Sequence, residues 1–384
     1  MRKLASIQKC LSIQPIIGAD RIELATFLGW NVIVNKNEFK VGDLAIYIEY
    51  DSLLPVDNPD FEFLRSRCYS PKYNAYRIRC MKMKGVFSQG IVFPLSILGI
   101  YDSRLWQEGD DVTERLNIIK YDPEAWAEEH QQQNNSHDSR LKNPIIRWLC
   151  QFRWIKRLIL PKRKQFPTDL VSQTDETRIQ AIPFVLEEFK GTKCYISEKI
   201  DGCSFTAIMY HNKFDVYARY SCQTYLNNHW WRVAKQYDIK RKLKKLGYNN
   251  IAIQGEVIGE GVFNGSGRNL YEVKGNDLYV FNVFDVINHK QFSKDEMIEF
   301  CKKMGLKTVP IFDLYYTIGL HDVQGLLEMA TGKSLLNPKE EREGIVIRDL
   351  ENKTQAIKKC GDHLSFKAIN PDFIMKNQDG NETV

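Results

Sequence analysis

Ser197-Glu198-Lys199-Ile200-Asp201-Gly202 is the stretch that decides the fold and the chemistry of this chain. It follows the β-prone run from Lys193 to Ile196, so we predict that Lys199 ends a strand and that Asp201-Gly202 makes a tight turn. A lysine in that position points its amine at one place, and the glycine lets a ligand or another backbone segment come close. Lys199 is therefore a candidate covalent nucleophile. An exposed turn lysine would show the same short pattern.

The amine of Lys199 must lose a proton before it can attack a phosphorus or carbonyl centre. Because the ordinary pKa of a lysine is about 10.4, burial or nearby positive charge has to lower it. We therefore expect cations next to Lys199.

Length and composition indicate a globular protein of two or three domains. The chain has 384 residues, of which 43% are hydrophobic and 12% aromatic, enough to build substantial cores. It has no run of about eighteen uncharged apolar residues, so we expect no membrane span. The net charge of +6 suits a polyanionic partner.

Cysteine usage and the amino terminus bear on location. The nine cysteines are odd in number and never form a Cys-x-x-Cys pair, which indicates reduced thiols in an intracellular protein without a zinc site. The basic start, Met1 to Cys10, lacks the apolar core of a secretory signal. We expect a cytoplasmic or nuclear protein, with a mitochondrial presequence as the open alternative.

Residues 1–121 are rich in short predicted strands and suit an OB-like β-barrel. The predicted strands run from Leu4 to Ile7, Trp30 to Val34, Leu44 to Ile48, Tyr76 to Met81 and Gly90 to Phe93. Basic and aromatic side chains on this module form either an oligonucleotide-binding face or only the solvated side of the barrel; they are Tyr73, Tyr76, Arg77, Arg79, Lys82 and Lys84.

Residues 122–165 are predicted to be a linker that contains a basic amphipathic helix. Nine lysines and arginines and no acid lie between Ser139 and Gln165, and apolar residues recur at helical spacing from Ile145 to Ile159. Such a helix can track phosphates, lie on a membrane surface or dock between two domains. The candidate RNA contacts are Arg147, Arg153, Lys156 and Arg157.

Residues 166–384 show a mixed pattern of helices and strands. We predict helices from Thr174 to Phe189, Trp230 to Leu246 and Lys294 to Met304, and a hairpin from Phe205 to Arg219. Further apolar strands are predicted from Ile251 to Ile258, Leu278 to Val286 and Gly344 to Arg348. The fold class is therefore α+β.

Four further groups of residues lie on these elements. Glu256 and Glu343 each adjoin a glycine and an apolar strand, and a buried acid needs a partner or a metal. Phe281 lies on a strand of alternating aromatics, where a flat ring can stack. Lys367 adds a late lysine.

Taken in chain order, these motifs resemble those of the covalent nucleotidyltransferase superfamily of ligases and RNA capping enzymes. They are Lys199-Ile200-Asp201-Gly202, Arg219, Gly255-Glu256, the strand around Phe281, Glu343-Gly344 and Lys367. The chain looks most like the ATP-dependent RNA ligases with an amino-terminal OB domain, and the likeness spans all but about residues 124–164. It implies an OB-fold domain over 1–121 and an ATP-grasp-like nucleotidyltransferase domain, with central antiparallel sheets, over 166–384.

The position of the OB module agrees with this resemblance. DNA ligases and capping enzymes carry an OB domain after the catalytic domain. Only seventeen residues follow Lys367, whereas a domain needs at least about 50. We therefore expect any OB module to lie upstream.

The resemblance implies a reaction and a set of residue roles. Lys199 would take AMP from ATP, the AMP would pass to an RNA 5′-phosphate, and a 3′-hydroxyl would then seal the strand, as in RNA repair. Mg²⁺ or Mn²⁺ would be bound by Asp201, Glu256 and Glu343. The nucleotide would be bound by Glu198, Arg219, Phe281 and Lys367. We expect a monomer that acts on RNA ends, including those of a nicked duplex.

The sequence leaves two alternatives open: a GTP-dependent capping guanylyltransferase and a catalytically inactive RNA-binding relative. The chain also departs from the family pattern at three phosphate-contact positions. Tyr220 stands where asparagine is common, Arg348 where many relatives have lysine, and Ser365 where a lysine often precedes the last motif.

The basic linker helix generates the first testable prediction. Replacing Arg147, Arg153, Lys156 and Arg157 by glutamine should weaken RNA binding and flatten its salt dependence, because each lost phosphate contact removes one released counterion. Titrations of RNA at several salt concentrations measure the slope. An unchanged slope would leave the helix as a connector between domains.

Overall fold

The computed structural model describes residues 3–99, 106–123, 125–126, 143–149, 151–152, 164–173, 175–223, 228–262, 268–351 and 363–378. Within these residues the chain builds an amino-terminal β-barrel module and a larger domain of two mainly antiparallel sheets. The α+β prediction is confirmed. None of the helices in these ranges is long and apolar enough to cross a membrane.

The amino-terminal module is a nearly closed barrel. The strands are β1 Ala5–Pro15, β2 Ile22–Phe27, β3 Trp30–Asn35, β4 Leu44–Ile48, β5 Ser52–Pro55, β6 Tyr69–Ser70, β7 Ala75–Arg77, β8 Cys80–Met83, β9 Val86–Gln89, β10 Ile91–Phe93 and β11 Ile119–Lys120, with a short helix α1 Arg65–Cys68. The five-stranded sheet has the order β10-β4-β1-β2-β3, and the edge strand β3 contacts both β9 and β10. A second sheet follows the order β11-β5-β7-β6.

The predicted strand from Tyr76 to Met81 is wrong as one element, because β7 ends at Arg77 and β8 begins at Cys80. Tyr76 and Arg77 are also buried. The Arg77 guanidinium lies 3.6 Å from the ring centre of Tyr121 and 3.6 Å from a carboxylate oxygen of Asp51. These two side chains therefore belong to the interior of the module and not to an oligonucleotide-binding face.

The larger domain consists of two sheets with helices on their outer faces. The strands are β12 Thr177–Arg178, β13 Lys193–Lys199, β14 Cys203–Tyr210, β15 Lys213–Tyr217, β16 Ile251–Gly259, β17 Asn276–Asp285, β18 Lys290–Gln291, β19 Lys307–Thr308, β20 Ile311–Thr317, β21 Gly344–Asp349 and β22 Ser365–Ile369. One sheet has the order β12-β22-β21-β13-β20; the other has the order β15-β14-β16-β17-β18, with β19 beside β17. The helices are α2 Pro144–Leu149 in the linker, α3 Val185–Glu188, α4 His229–Gln236, α5 Ile239–Lys245, α6 Lys294–Met304, α7 Val323–Ala330 and α8 Pro371–Asn377.

Alternating side chains of β16 face opposite ways and separate two cores. Ile253 and Val257 pack with Phe300 of α6 and with Leu243 of α5. Ile258 points to the other side, where Ile200 lies. The helices α4, α5 and α6 therefore cover the face of the sheet that is turned away from the Lys199 segment.

Two predicted helices are wrong in extent. The segment expected to be helical from Thr174 to Phe189 contains β12, which pairs in parallel with β22, and only Val185–Glu188 forms an α-helix after Pro183. The helix predicted from Trp230 to Leu246 divides into α4 and α5 at Asp238, whose φ of 52° is left-handed. In the linker, α2 covers only the start of the helix predicted from Ile145 to Ile159, because Gln151 and Phe152 lie in a turn after Leu149. Residues 153–163 lie outside the described ranges.

The barrel module packs directly on the larger domain. The backbone N–H of Gly29 donates to the carbonyl of Gln180 at 2.9 Å, and Arg178 pairs with Asp51 at 3.3 Å. After α8, the side chain of Gln378 donates to the carbonyl of Cys80 at 3.0 Å. The two parts are thus connected at both ends of the larger domain.

Gly29 provides a test of this interface. A Cβ atom at this position would lie 2.7 Å from the Cα of Gln180, so Gly29→Ala should force the two parts slightly apart. We expect a loss of about 1 to 3 kcal/mol in the free energy of unfolding, the usual effect of overpacking. Denaturant unfolding measures it, and full retention of stability would show that the contact is not closely packed in solution.

Candidate active site

The Lys199 amine lies between two neighbouring strands. Lys199 is the last residue of β13, as predicted, and it pairs across the sheet with Gly344, the first residue of β21. Its Nζ atom lies 2.8 Å from the carboxylate of Glu343. Only 24% of the lysine side chain is exposed. The exposed-turn interpretation of Lys199 is therefore wrong.

Acids surround this amine. Burial alone would lower the pKa of Lys199, but the charges of Glu343, Glu256 and Asp201 raise it above the ordinary value. The prediction of neighbouring cations is thus wrong, because the charged groups with the strongest effect on the pKa of Lys199 are acids. They keep Lys199 protonated as an ammonium ion. Activation requires that the negative charge around it be compensated when a nucleotide binds.

Asp201 is held by two residues that the sequence analysis missed. Its backbone N–H donates to the hydroxyl of Tyr271 at 2.8 Å, and its carboxylate forms an ion pair with Arg268. Burial and the charge of Glu343 raise the pKa of Asp201 to about 6, against the opposing effect of Arg268. The acids around Lys199 therefore carry more negative charge than the neighbouring cations neutralise.

Glycines bring these acids together. A Cβ atom on Gly202 would lie 2.4 Å from the carbonyl oxygen of Val257, and one on Gly344 would lie 2.3 Å from that of Ala368. Gly255 is equally restricted by a backbone oxygen on β17. Because only glycine permits this spacing, the backbones close on one another and the adjoining side chains of Asp201, Glu256 and Glu343 converge on Lys199.

The donor chemistry fits a hydrated divalent ion. Among the residues that the structure describes, no group of three or more His, Cys, Asp or Glu side chains is arranged as a ready metal cage. Mg²⁺ usually keeps several waters and takes one or two carboxylates together with substrate phosphates, so a full cage is not required. In the structure, Lys199 and Arg268 supply the positive charge for Glu343 and Asp201.

A second charged cluster centres on Asp175. Its carboxylate lies 2.7 Å from Arg219, 2.8 Å from Lys367 and 3.4 Å from Lys120 of the barrel module. The structure thus brings together two of the predicted nucleotide-binding cations, Arg219 and Lys367. Neither Asp175 nor Lys120 was predicted to belong to this site. The predicted helix from Thr174 places Asp175 in its first turn, but that helix does not form here, and Lys120 comes from the barrel module.

Charge and burial oppose each other in this cluster. Burial would raise the pKa of Asp175, but Lys367 and Arg219 lower it well below its usual range. Burial lowers the pKa of Lys367 to about 8, although Asp175 acts in the other direction. Lys199 also lies near enough to lower the pKa of Lys367, so the two clusters adjoin.

The remaining predicted nucleotide contacts lie on the same part of the domain. Phe281 is half-buried beside Ile200, and the guanidinium of Arg348 lies 5.4 Å from its ring centre. Glu198 is buried; its Oε2 atom accepts from the backbone N–H of Leu335 at 2.8 Å, while Oε1 has no hydrogen-bond partner within the described part of the chain. Burial raises the pKa of Glu198.

The predicted RNA contacts are placed only in part. Arg147 belongs to α2, and Arg153, Lys156 and Arg157 lie outside the described residues.

The barrel module, the two mainly antiparallel sheets and the enclosed lysine together define the architecture of a nucleotidyltransferase. A family model described as RNA ligase matches residues 192–369, and one described as an OB-fold domain matches residues 4–95. No protein sequence with curated function matches the chain significantly.

The chain is also similar to solved structures of Naegleria gruberi RNA ligase. An apo aspartate-to-alanine mutant of that protein is 30% identical, with a TM-score of 0.79 over 98% of this chain and 99% of that chain. A lysine-to-alanine mutant with ATP and Mn gives the same identity and TM-score over 98% and 100%. A structure with PPi is 29% identical, with a TM-score of 0.78 over 99% and 100%. The chain belongs to the RNA ligase family.

The Asp175 cluster generates a prediction about pH. Asp175→Asn removes the charge that favours protonated Lys367, so the pKa of Lys367 should fall further below about 8. Any step that needs the charged lysine should then fail at a lower pH, and the alkaline limb of the pH profile for transfer of AMP to the protein should shift downward.

Asp122→Asn is the matched control, because Asp122 contacts Lys120 at 3.6 Å and Tyr220 but is not among the groups that shift the pKa of Lys367. Asp175→Glu should restore the wild-type limb. Identical limbs in wild type and Asp175→Asn would show that Asp175 does not govern the protonation of Lys367.

Proposed function

We propose that the protein is an ATP-dependent RNA ligase that joins a 3′-hydroxyl to a 5′-phosphate through a lysyl-AMP intermediate at Lys199. The observation that carries this proposal is the enclosed Lys199 amine, 2.8 Å from Glu343 and next to the cluster that contains Lys367 and Arg219. Structures of the similar Naegleria gruberi RNA ligase with ATP and Mn and with PPi are consistent with it.

In the first step, the Lys199 amine attacks the α-phosphorus of ATP. A nitrogen–phosphorus bond forms, the bond to the β-phosphate oxygen breaks, pyrophosphate leaves, and the amine releases its proton. Covalent catalysis of this kind divides one difficult transfer into easier ones. Glu343 is the acceptor nearest to the proton of Lys199.

Arg219 and Lys367 would exchange the carboxylate of Asp175 for phosphate oxygens. Both cations already converge on one anionic group, so little rearrangement is needed when a phosphate takes its place. Phosphoryl transfer depends mainly on such positioning and neutralisation of charge.

Asp201, Glu256 and Glu343 would bind Mg²⁺ or Mn²⁺, which neutralises phosphate charge and weakens the hold of the acids on the Lys199 proton. Their convergence around one ammonium ion supports this assignment.

Base recognition is assigned to Glu198 and Phe281. The unpartnered Oε1 of Glu198 can accept a hydrogen bond from the amino group of adenine, whereas guanine presents a carbonyl oxygen at the corresponding position. Phe281 would stack on the adenine ring. This arrangement favours ATP over GTP, as a ligase requires and a guanylyltransferase does not.

In the later steps, AMP moves from Lys199 to the 5′-phosphate of RNA, and a 3′-hydroxyl displaces AMP to form the phosphodiester.

We place the reaction in RNA repair and infer a monomer that also accepts nicked duplexes. None of the seven cysteines in the described part of the chain forms a disulfide, which supports a cytoplasmic or nuclear location.

The proposal is tested by separating its steps. Lys199→Ala should lose the joining of 5′-phosphate RNA, by about 10³-fold or more, because no covalent AMP can form. The same variant should still join RNA whose 5′ end already carries AMP, since that step needs the site and not the nucleophile. Gel assays with both substrates measure the two activities.

Lys199→Arg is the control that keeps the positive charge without a usable nucleophile, and it should behave like Lys199→Ala on 5′-phosphate RNA. Joining of 5′-phosphate RNA by either variant would contradict the lysyl-AMP route.

A further inference from the structure

Helices α4 and α5 carry an unusual concentration of positive charge. Residues 229–245 contain seven lysines and arginines and one acid, Asp238. The net formal charge of this segment, +6, equals that of the whole chain. The basic stretch 139–165 carries a further nine charges, so the rest of the chain is negative by nine. Positive charge is thus concentrated in two places, the linker stretch and helices α4 and α5.

Most of this charge lies exposed and without acidic partners. Lys240, Lys244 and Lys245 are exposed, and their ammonium groups form no hydrogen bond or ion pair with any described residue. Arg241 pairs with Asp238, and Lys242 packs inward and donates to the carbonyl of Met304 at 2.7 Å. Elsewhere in the described chain many exposed lysines lie beside an acid, as Lys303 does beside Glu299 at 2.7 Å.

Helix stability does not account for this arrangement. Lys244 and Lys245 lie in the last turn of α5, where cations interact favourably with the helix dipole, but Lys240 and Arg241 lie in the first turn, where they do not. Lys240 with Lys244, and Arg241 with Lys245, are also like-charged pairs four residues apart, which destabilise a helix by a few tenths of a kcal/mol each. The charge is therefore maintained against the local stability of α5.

The surface lies on the side of the domain opposite to Lys199. Ile239 and Leu243 anchor α5 in the core between the helices and the sheet, with Ile253 and Phe300. Glu256 alternates with the β16 residues that face this core, so its side chain points to the other face, toward Lys199. A sheet and a helix layer, each about 10 Å thick, separate the two surfaces. A short RNA end in the active site therefore does not reach α5.

We propose that α5 and the adjoining end of α4 form an RNA-anchoring surface that binds the phosphate backbone of the substrate away from the break. The family acts on RNA, and a dense array of unpaired lysines is complementary to a phosphate chain that carries one charge per about 1.7 Å of duplex. This inference rests on the proposed function only in taking RNA as the partner. It adds a surface that favours long or structured RNA over short oligonucleotides.

The test compares two triple variants of the full-length protein. Lys240→Gln, Lys244→Gln and Lys245→Gln removes the surface charge, while Lys36→Gln, Lys190→Gln and Lys213→Gln removes three exposed lysines from three separate places. Binding of a long nicked RNA duplex is measured by titration between about 50 and 200 mM salt. Both variants should keep the wild-type melting temperature or exceed it.

The surface variant should lose about 2 to 3 units of the logarithmic salt slope, at 0.7 to 0.9 per phosphate contact. Between the lowest and the highest salt concentration, the factor by which RNA affinity falls should then be roughly 20 to 40 times smaller for the surface variant than for the wild type. The scattered variant should keep the wild-type slope. Joining of a long duplex should weaken in the surface variant, and joining of a short one should not.

Three results would overturn the inference. The first is a surface variant with the salt slope of the wild type. The second is a scattered variant that loses as much of the salt slope as the surface variant does. The third is a surface variant that keeps the RNA salt slope but no longer binds vesicles of phosphatidylserine and phosphatidylcholine, which would make α5 a membrane contact. Transfer of AMP to Lys199, measured in parallel, should be unchanged in both variants. Its absence from the wild type would count against the proposed function, while the slope comparison would still test the surface.

Discussion

The close approach of backbones at three glycines is the constraint on which the site depends. Gly202, Gly255 and Gly344 each lie so close to a carbonyl oxygen of a neighbouring segment that a methyl group has no room. The acids that adjoin these glycines are thereby brought to one amine. An alanine at any of the three positions would separate the strands and with them the carboxylates, so each glycine is required by the same geometry that assembles the charges.

Two adjoining clusters of opposite design result from this geometry. Around Lys199, carboxylates exceed the cations they contact, and the amine is kept protonated. Around Asp175, three cations share one carboxylate. A nucleotide with its divalent ion supplies what each cluster lacks, positive charge to the first and phosphate oxygens to the second. Because Lys120 comes from the barrel module, the second cluster also couples that module to the catalytic domain.

The predictable parts of the structure were those encoded locally. Lys199 at a strand end, the hairpin around His211 and the helix from Lys294 to Met304 follow from turn residues, alternation and capping within a few positions. Contacts between distant residues were not predictable. The strand β12 pairs with β22, which lies almost two hundred residues later in the chain. That pairing overrides the local helical pattern, which had placed Asp175 in the first turn of a helix. Arg268 and Lys120 likewise reach the site through the fold and not through any motif of their own.

Tandem mass spectrometry of the protein after incubation with ATP and a divalent ion would show directly whether Lys199 carries AMP. We predict one AMP adduct, on the Nζ atom of Lys199, formed with ATP in preference to GTP. An adduct on another residue, or a preference for GTP, would contradict the assignment of Lys199 and Glu198. The absence of any adduct under conditions in which the protein still joins RNA would contradict the covalent mechanism itself.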